Sequence, residues 1–203
     1  SRPYCHRRTP RGCTISRAAE TLKASSETSA SLVLRAKMLI DGTGSEPVSP
    51  ALVAVAGRRI VYAGPEHEAP EFPGARQLDL PEACLMPGLI DMHVHSTYYW
   101  EEPDSATYTY DPEQARVYSP VAIAFLAAAN LRQALLSGVT TARDIGSVSG
   151  VMPDLKRAIA KGQVLGPKVY TAGRLITPTG GHCHFLPDLS NRADGPDGFR
   201  RAV

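Results

Sequence analysis

His93 and His95 are the residues whose type and spacing point most directly to chemistry. They close the run 89–95 (LIDMHVH), which reads as a strand. Side chains on a strand alternate between faces, so both imidazoles project to the same side with Cα atoms ~6–7 Å apart. Two neutral imidazoles so placed can meet one transition-metal ion. A His-x-His pair alone is a weak signal, since most such pairs are structural or surface features. Its place at the end of an apolar strand strengthens it, because parallel-barrel enzymes carry reacting groups there. A second pair, His182 and His184, lies on the Gly-rich stretch 177–184 (TPTGGHCH). Gly180 and Gly181 would let the backbone approach a bound molecule. His182 is the candidate for contact with a substrate carbonyl or carboxylate, and a structural role fits either histidine equally well. Cys183 between them is a soft ligand or a space filler.

The elements that must position these residues fall into two kinds. Before the first pair, 31–41, 51–55, 59–63, 76–80 and 84–86 read as short strands separated by turn residues such as 42–44 and Gly57. Strand after strand without helices predicts a small antiparallel sheet or β-sandwich over 31–86. From Pro87 the pattern alternates. Strand 89–95 is followed by a helix with Ser119 as N-cap and Pro120 as first residue. Val121, Phe125, Ala129 and Leu136 recur at helical spacing, and Gly138 marks the stop. Strand 139–145, helix 153–161 with Leu155 and Ile159 inward, strand 168–172 and a helix opening at 199–203 complete the order. This α/β alternation over 87–203 predicts a parallel sheet with helices on its faces. Three βα units are too few to close a barrel. They read as the first part of a (β/α)8 barrel or as half of an open doubly wound sheet. No GxGxxG follows the first strand, so nothing favours a dinucleotide fold.

Loops leaving the C-terminal ends of barrel strands form the mouth of the active site. Tyr98, Tyr99, Trp100, Tyr108 and Tyr110 cluster in such a loop. Tyr99 and Trp100 are candidates to line an apolar substrate pocket, and local packing over the barrel top is an equal alternative. Glu101 and Glu102 read as solvated. Asp144, at the end of the second strand, either orients a ligand imidazole or bonds the backbone. Asp91 shares the histidines' face and reads as support for them. His67, beside Glu66, Glu68 and Pro70, reads as exposed.

Composition sets the frame. The chain has 203 residues, 43% hydrophobic and 21% charged, as in ordinary globular proteins. No apolar run reaches the ~18 residues of a membrane span. A net charge of +2 gives no reason to expect nucleic-acid binding. Residues 1–28 hold six Lys/Arg and two Glu, a net of +4, which leaves −2 for the rest. Rich in Ser and Thr and poor in large apolar residues, the basic stretch 1–30 is expected to be a disordered tail. An organelle transit peptide or an upstream translated tail would look like this. The chain opens on Ser1, and the true start is expected upstream of it. The four cysteines show no CxxC spacing, so a reducing, cytoplasmic setting is the expectation and organelle targeting the alternative.

The nonapeptide 87–95 (PGLIDMHVH) resembles the PGLIDxHxH signature of the amidohydrolase superfamily of metal-dependent hydrolases. Residues 41–44 (DGTG) and 57–64 (GRRIVYAG) resemble parts of that superfamily's small N-terminal β domain. Residues 138–146 (GVTTARDIG) resemble its second barrel strand. Residues 177–184 and 193–196 (ADGP) are similar to the imidazolonepropionase-like and Xaa-Pro dipeptidase-like branch, from whose short Gly-Glu pattern 185–192 departs. The resemblance implies a (β/α)8 TIM barrel preceded by a β-sandwich built from both chain ends. It implies that His93 and His95 are the first two ligands of a site for one or two divalent transition-metal ions, usually zinc. A bridging Lys, two more His and the general-base Asp are expected beyond Val203, so this chain alone is expected to be an inactive N-terminal fragment. The implied reaction is attack of a metal-acidified water on a small-molecule amide, cyclic amide or Xaa-Pro dipeptide. A homo-oligomer is left open. The second reading is a non-catalytic, amidohydrolase-like fragment or pseudo-enzyme. An unrelated α/β domain with a chance His-x-His is opposed by the separated motifs.

Overall fold

A computed structural model describes residues 29–98, 119–186 and 189–203. They fall into two units, one ending at Pro87 and the other running from Gly88 to Val203. The basic stretch 1–28 and the loop residues Tyr99, Trp100, Glu101, Glu102, Tyr108 and Tyr110 lie outside the described residues.

The first unit contains β1 (Leu32–Leu39), β2 (Ala51–Ala56), β3 (Arg59–Pro65) and β4 (Arg76–Leu85). They form one sheet in the order β3-β2-β1-β4. β2 reads Ala-Leu-Val-Ala-Val-Ala with no polar alternation, as a strand covered on both faces does. One face carries Val33, Leu52, Ala54 and Tyr62, and the other Leu39, Ala51 and Val53. The expected antiparallel pairing holds for β1–β2 and β2–β3, but β4 runs parallel to β1. The reason is the strand order. β3 and β4 sit on opposite edges, so the chain crosses the sheet and re-enters in the same direction. Ala69, Phe72 and Ala75 of the crossing cover the face that bears Tyr62. The runs 76–80 and 84–86, read separately in the sequence, are one strand. A register shift between Leu80 and Cys84 takes up Pro81, which has no N–H for the ladder.

In the second unit β5 (Leu89–Val94), β6 (Val139–Asp144) and β7 (Lys168–Thr171) form a parallel sheet in the order β5-β6-β7. Helices α1 (Pro120–Leu136) and α2 (Met152–Ala160) connect them. The Ser119 hydroxyl accepts the Ala122 N–H at 3.3 Å, satisfying one of the orphan donors of the first turn. α1 buries Ile123, Ala127 and Leu131. Val121, Phe125, Ala129 and Leu136, which carry the periodicity in the sequence, are exposed. The helix is apolar on most of its circumference, so spacing identified a helix without identifying its inner face. Ala127 and Leu131 pack on Ala142, Met152, Leu155 and Val169, which ties both helices to the sheet. A Cβ on Gly88 would collide with the Thr140 side chain, so only glycine lets the chain enter β5 this close to β6.

Two short strands, β8 (Leu175–Thr177) and β9 (Ser190–Arg192), pair in parallel and bracket the GGHCH loop. The sequence shows neither. The third helix, α3, spans Gly195–Ala202 and starts four residues before the expected Phe199. Pro196 in its first turn is compatible with that earlier start.

Candidate metal centre

The histidine pair sits at the C-terminal end of β5, with His95 one residue past it. The two ring centroids are 5.2 Å apart and the planes meet at 75°. A metal bound at 2.0–2.1 Å from a ring nitrogen lies roughly 3.2 Å from that ring's centre, so two rings sharing a tetrahedral ion have centres ~5 Å apart. The observed spacing fits one ion. His95 Nδ1 lies 3.0 Å from the Gly146 carbonyl. A carbonyl only accepts, so Nδ1 donates here, and in a neutral imidazole held this way the lone pair lies on Nε2. This is the arrangement by which a backbone acceptor fixes the tautomer and aim of a ligating imidazole. Gly146 must come close to make this contact. A Cβ there would stand 2.7 Å from Leu175 Cδ2 and 3.4 Å from His95 Cε1. The Tyr98 ring stacks on His95 with centroids 4.7 Å apart and planes 10° from parallel. His95 is half-buried and His93 exposed. Among the described residues no third His, Cys, Asp or Glu joins them in a metal-holding group.

The backbone around the pair is held by side chains. Asp91 Oδ1 accepts the His93 N–H at 3.0 Å, and Arg143 Nε donates to the Met92 carbonyl at 2.7 Å. Asp144 is fully buried. Its Oδ2 accepts the Ser96 N–H at 2.8 Å, and its Oδ1 accepts from the Ser147 hydroxyl. Of the two readings open for Asp144 the structure shows the backbone one, and the Gly146 carbonyl orients the imidazole instead. Asn130 Nδ2 donates to the carbonyls of Ser96 and Tyr98 at 3.0 and 2.9 Å. Thr97 Oγ1 accepts the Val148 N–H at 3.1 Å. Neither Asn130 nor Arg143 stands out in the sequence as a site residue. A signal for Asn130 was present, since it is an amide in the middle of an apolar helix.

The second histidine pair behaves differently. His182 is exposed, and among the described residues neither a hydrogen bond nor a ring contact joins it to His93 or His95. His184 Nδ1 lies 3.0 Å from the Gly181 carbonyl, and its ring meets Phe185 edge-on. Cys183 has φ +59° and packs against the cluster of Ile123, Val148, Val151, Leu186 and Leu189. Burial pushes its thiol up, which opposes a thiolate ligand. Asp194 anchors the loop by accepting the Thr179 hydroxyl at 2.6 Å and the Thr179 N–H at 2.9 Å. Those bonds, the hydroxyl first, hold its carboxyl below the usual carboxylate range. A lowered folded-state pKa means the anchor is complete above the ordinary Asp value of ~3.9 and is lost only as pH falls through the lower folded value. The Thr179 amide resonance is therefore expected to titrate with a midpoint below ~3.9. A midpoint at or above that value would contradict the anchor. His67 is exposed beside Glu68, as expected.

Residues 84–197 match the Amidohydrolase family. Ochratoxinase from Aspergillus niger is 28% identical over 180 residues, covering 88% of this chain and 35% of that protein. The crystal structure of A. niger ochratoxinase superposes with a TM-score of 0.67 at 25% identity, covering 85% of this chain and 43% of that one. A Xaa-Pro dipeptidase with methionine bound in its active site gives a TM-score of 0.61 at 26% identity, covering 82% of this chain and 38% of that one. Imidazolonepropionase from Caulobacter vibrioides is 43% identical over 51 residues, 25% of this chain and 13% of that protein. The chain thus spans about a third of the length of the ochratoxinases it matches. With its parallel strands, its connecting helices and more than half of its length matched, the chain belongs to the amidohydrolase family, and its second unit has the α/β order of a partial (β/α)8 barrel.

Proposed function

We propose that the protein is a metal-dependent hydrolase of C–N bonds in small molecules, with an amide, a cyclic amide or an Xaa-Pro dipeptide as substrate. The observation that carries this reading is the His93–His95 pair, spaced for one ion, with the Gly146 carbonyl leaving His95 Nε2 free. The names of the relatives support the substrate class, since one of them is a Xaa-Pro dipeptidase. Zinc is the ion proposed, as one ion or a pair.

A divalent ion, when bound, lowers the pKa of water to ~7 and polarises a carbonyl oxygen. The chain's own residues do the positioning. His93 and His95 supply two neutral imidazoles. The Gly146 carbonyl keeps the His95 proton on Nδ1, and the stacked Tyr98 ring holds the His95 plane. Asp144 and Asn130 hold the backbone that follows. Tyr99, Trp100 and His182 are proposed to contact the substrate. No residue of 1–203 is assigned as the general base. The proposed organisation is a basic tail over 1–30, a β domain over 31–86 and barrel from 87 onward. No helix among the described residues is long and apolar enough to cross a membrane.

The test is a panel of N-acyl amino acids, Xaa-Pro dipeptides and cyclic amides, with esters as the counter-panel. The full-length gene product is assayed after metal removal and after reloading with zinc, cobalt or manganese. Turnover of a C–N substrate should vanish with chelation and return with metal. Hydrolysis of esters alone, or C–N turnover indifferent to chelation, would contradict the proposal.

A further inference from the structure

We infer that Asp91 and Arg143 are a pair of positioning residues that fix the aim of His93 by clamping the peptide group between Met92 and His93. The inference rests on the metal-site reading above and adds two residues to it.

The strand ladder shows why a clamp is needed. Asp91 pairs with Ala142 and Val94 with Asp144, so three steps along β5 face two along β6. A bulge of this kind leaves a residue out of the ladder and re-aims the side chains around it. The excess falls on Met92 and His93. The C=O of Met92 and the N–H of His93 belong to one peptide group, and side chains bind both of its ends. Asp91 Oδ1 accepts the N–H at 3.0 Å, and Arg143 Nε donates to the C=O at 2.7 Å.

The charges match the peptide dipole. A carboxylate faces the positive N–H end and a guanidinium faces the negative C=O end. Both bonds involve ionised groups, which makes each stronger than a neutral hydrogen bond. Turning the peptide over would bring its oxygen toward the carboxylate and its N–H toward the guanidinium, so both ends would be repelled. The pair therefore selects one of two peptide orientations. That choice holds ψ of Met92 and φ of His93 in one combination, and with them the bulged backbone from which the His93 side chain projects. On this backbone the His93 ring stands 5.2 Å from the His95 ring, the spacing at which both can reach one ion. His95 receives its orientation separately, through Gly146. Each imidazole thus has its own support, one acting on the ring and the other on the backbone.

Cobalt(II) titration of the metal-free, full-length gene product tests this, with Arg143→Met as the principal variant. Arg143 is exposed and, among the described residues, its side chain bonds to the Met92 carbonyl alone, so the melting temperature should stay near that of the parent. Cobalt affinity should fall by about 10-fold, the lower end of what loss of a ligand's support costs. The visible absorption bands of the saturated cobalt form should also shift, because the angle between the two imidazoles changes. Arg143→Lys, which can still donate to the carbonyl, should recover part of the affinity and the parent spectrum. Asp91→Ala acts on the other end of the same peptide and should move both readouts in the same direction, which keeps the test open if Arg143→Met does not fold. Parent affinity and parent spectrum in both Arg143→Met and Asp91→Ala would overturn the inference. His93→Ala separates the two levels. If it abolishes cobalt binding while neither Arg143→Met nor Asp91→Ala alters it, the clamp alone fails. If His93→Ala also binds cobalt like the parent, the metal site itself fails and the clamp falls with it.

Discussion

Replacing His93 with alanine is expected to weaken divalent-metal binding by more than ~100-fold and to remove metal-dependent turnover while the fold survives. Loss of a supporting partner costs ~10–100-fold in affinity, so loss of a ligand should exceed that range. The fold should survive because His93 is exposed at a strand end and its imidazole makes only a ring contact with His95 among the described residues. His95→Ala is expected to behave differently. It removes a half-buried ring from under Tyr98 and leaves the Gly146 carbonyl without its donor. That variant should lose both metal and thermal stability. Equilibrium dialysis for the metal and a melting curve for the fold separate the two. His93→Ala that binds metal like the parent would remove His93 from the site.

Asp144→Ala is expected to destabilise the protein by about 3 kcal/mol or more. It strands the buried Ser96 N–H and the buried Ser147 hydroxyl, and an unpaired buried polar group costs ~1–3 kcal/mol. The side chain is fully buried, so water does not replace it readily, and a cavity is left as well. Asp144→Asn should cost less, since the amide oxygen still accepts one bond and the Ser147 hydroxyl can turn to accept the other. Because Ser96 follows His95 directly, the alanine variant should also bind metal more weakly. Urea unfolding of both variants measures the difference. A loss below about 1 kcal/mol for alanine would mean that Asp144 does not hold this corner.

Local chemistry was legible in the sequence. The spacing of His93 and His95, the Ser119-Pro120 helix start and the alternation of strand and helix from Pro87 all depend on neighbours a few residues apart. Features set by distant pairs were not legible. The Asp144 carboxylate could have met an imidazole or a backbone group, and its partner Ser96 lies 48 residues away. Arg143 reaches a carbonyl 51 residues back. β4 is parallel to β1 because of strand order, which no local pattern encodes. α1 is apolar nearly all round, so Val121 and Phe125 were as good a guess for its inner face as Ile123 and Ala127. β8 and β9 are three residues each, too short for a period to show.

Nitrogen NMR of the histidine rings during zinc titration tests the metal site most directly. His93 and His95 should respond together and saturate at the same zinc ratio, with the zinc-induced shift of His95 on Nε2 and its Nδ1 proton still bonded to Gly146. His67, His182 and His184 should stay unmoved. Zinc-induced shifts at His182 and His184 with His93 and His95 unchanged, or no histidine response at all, would contradict the site described here.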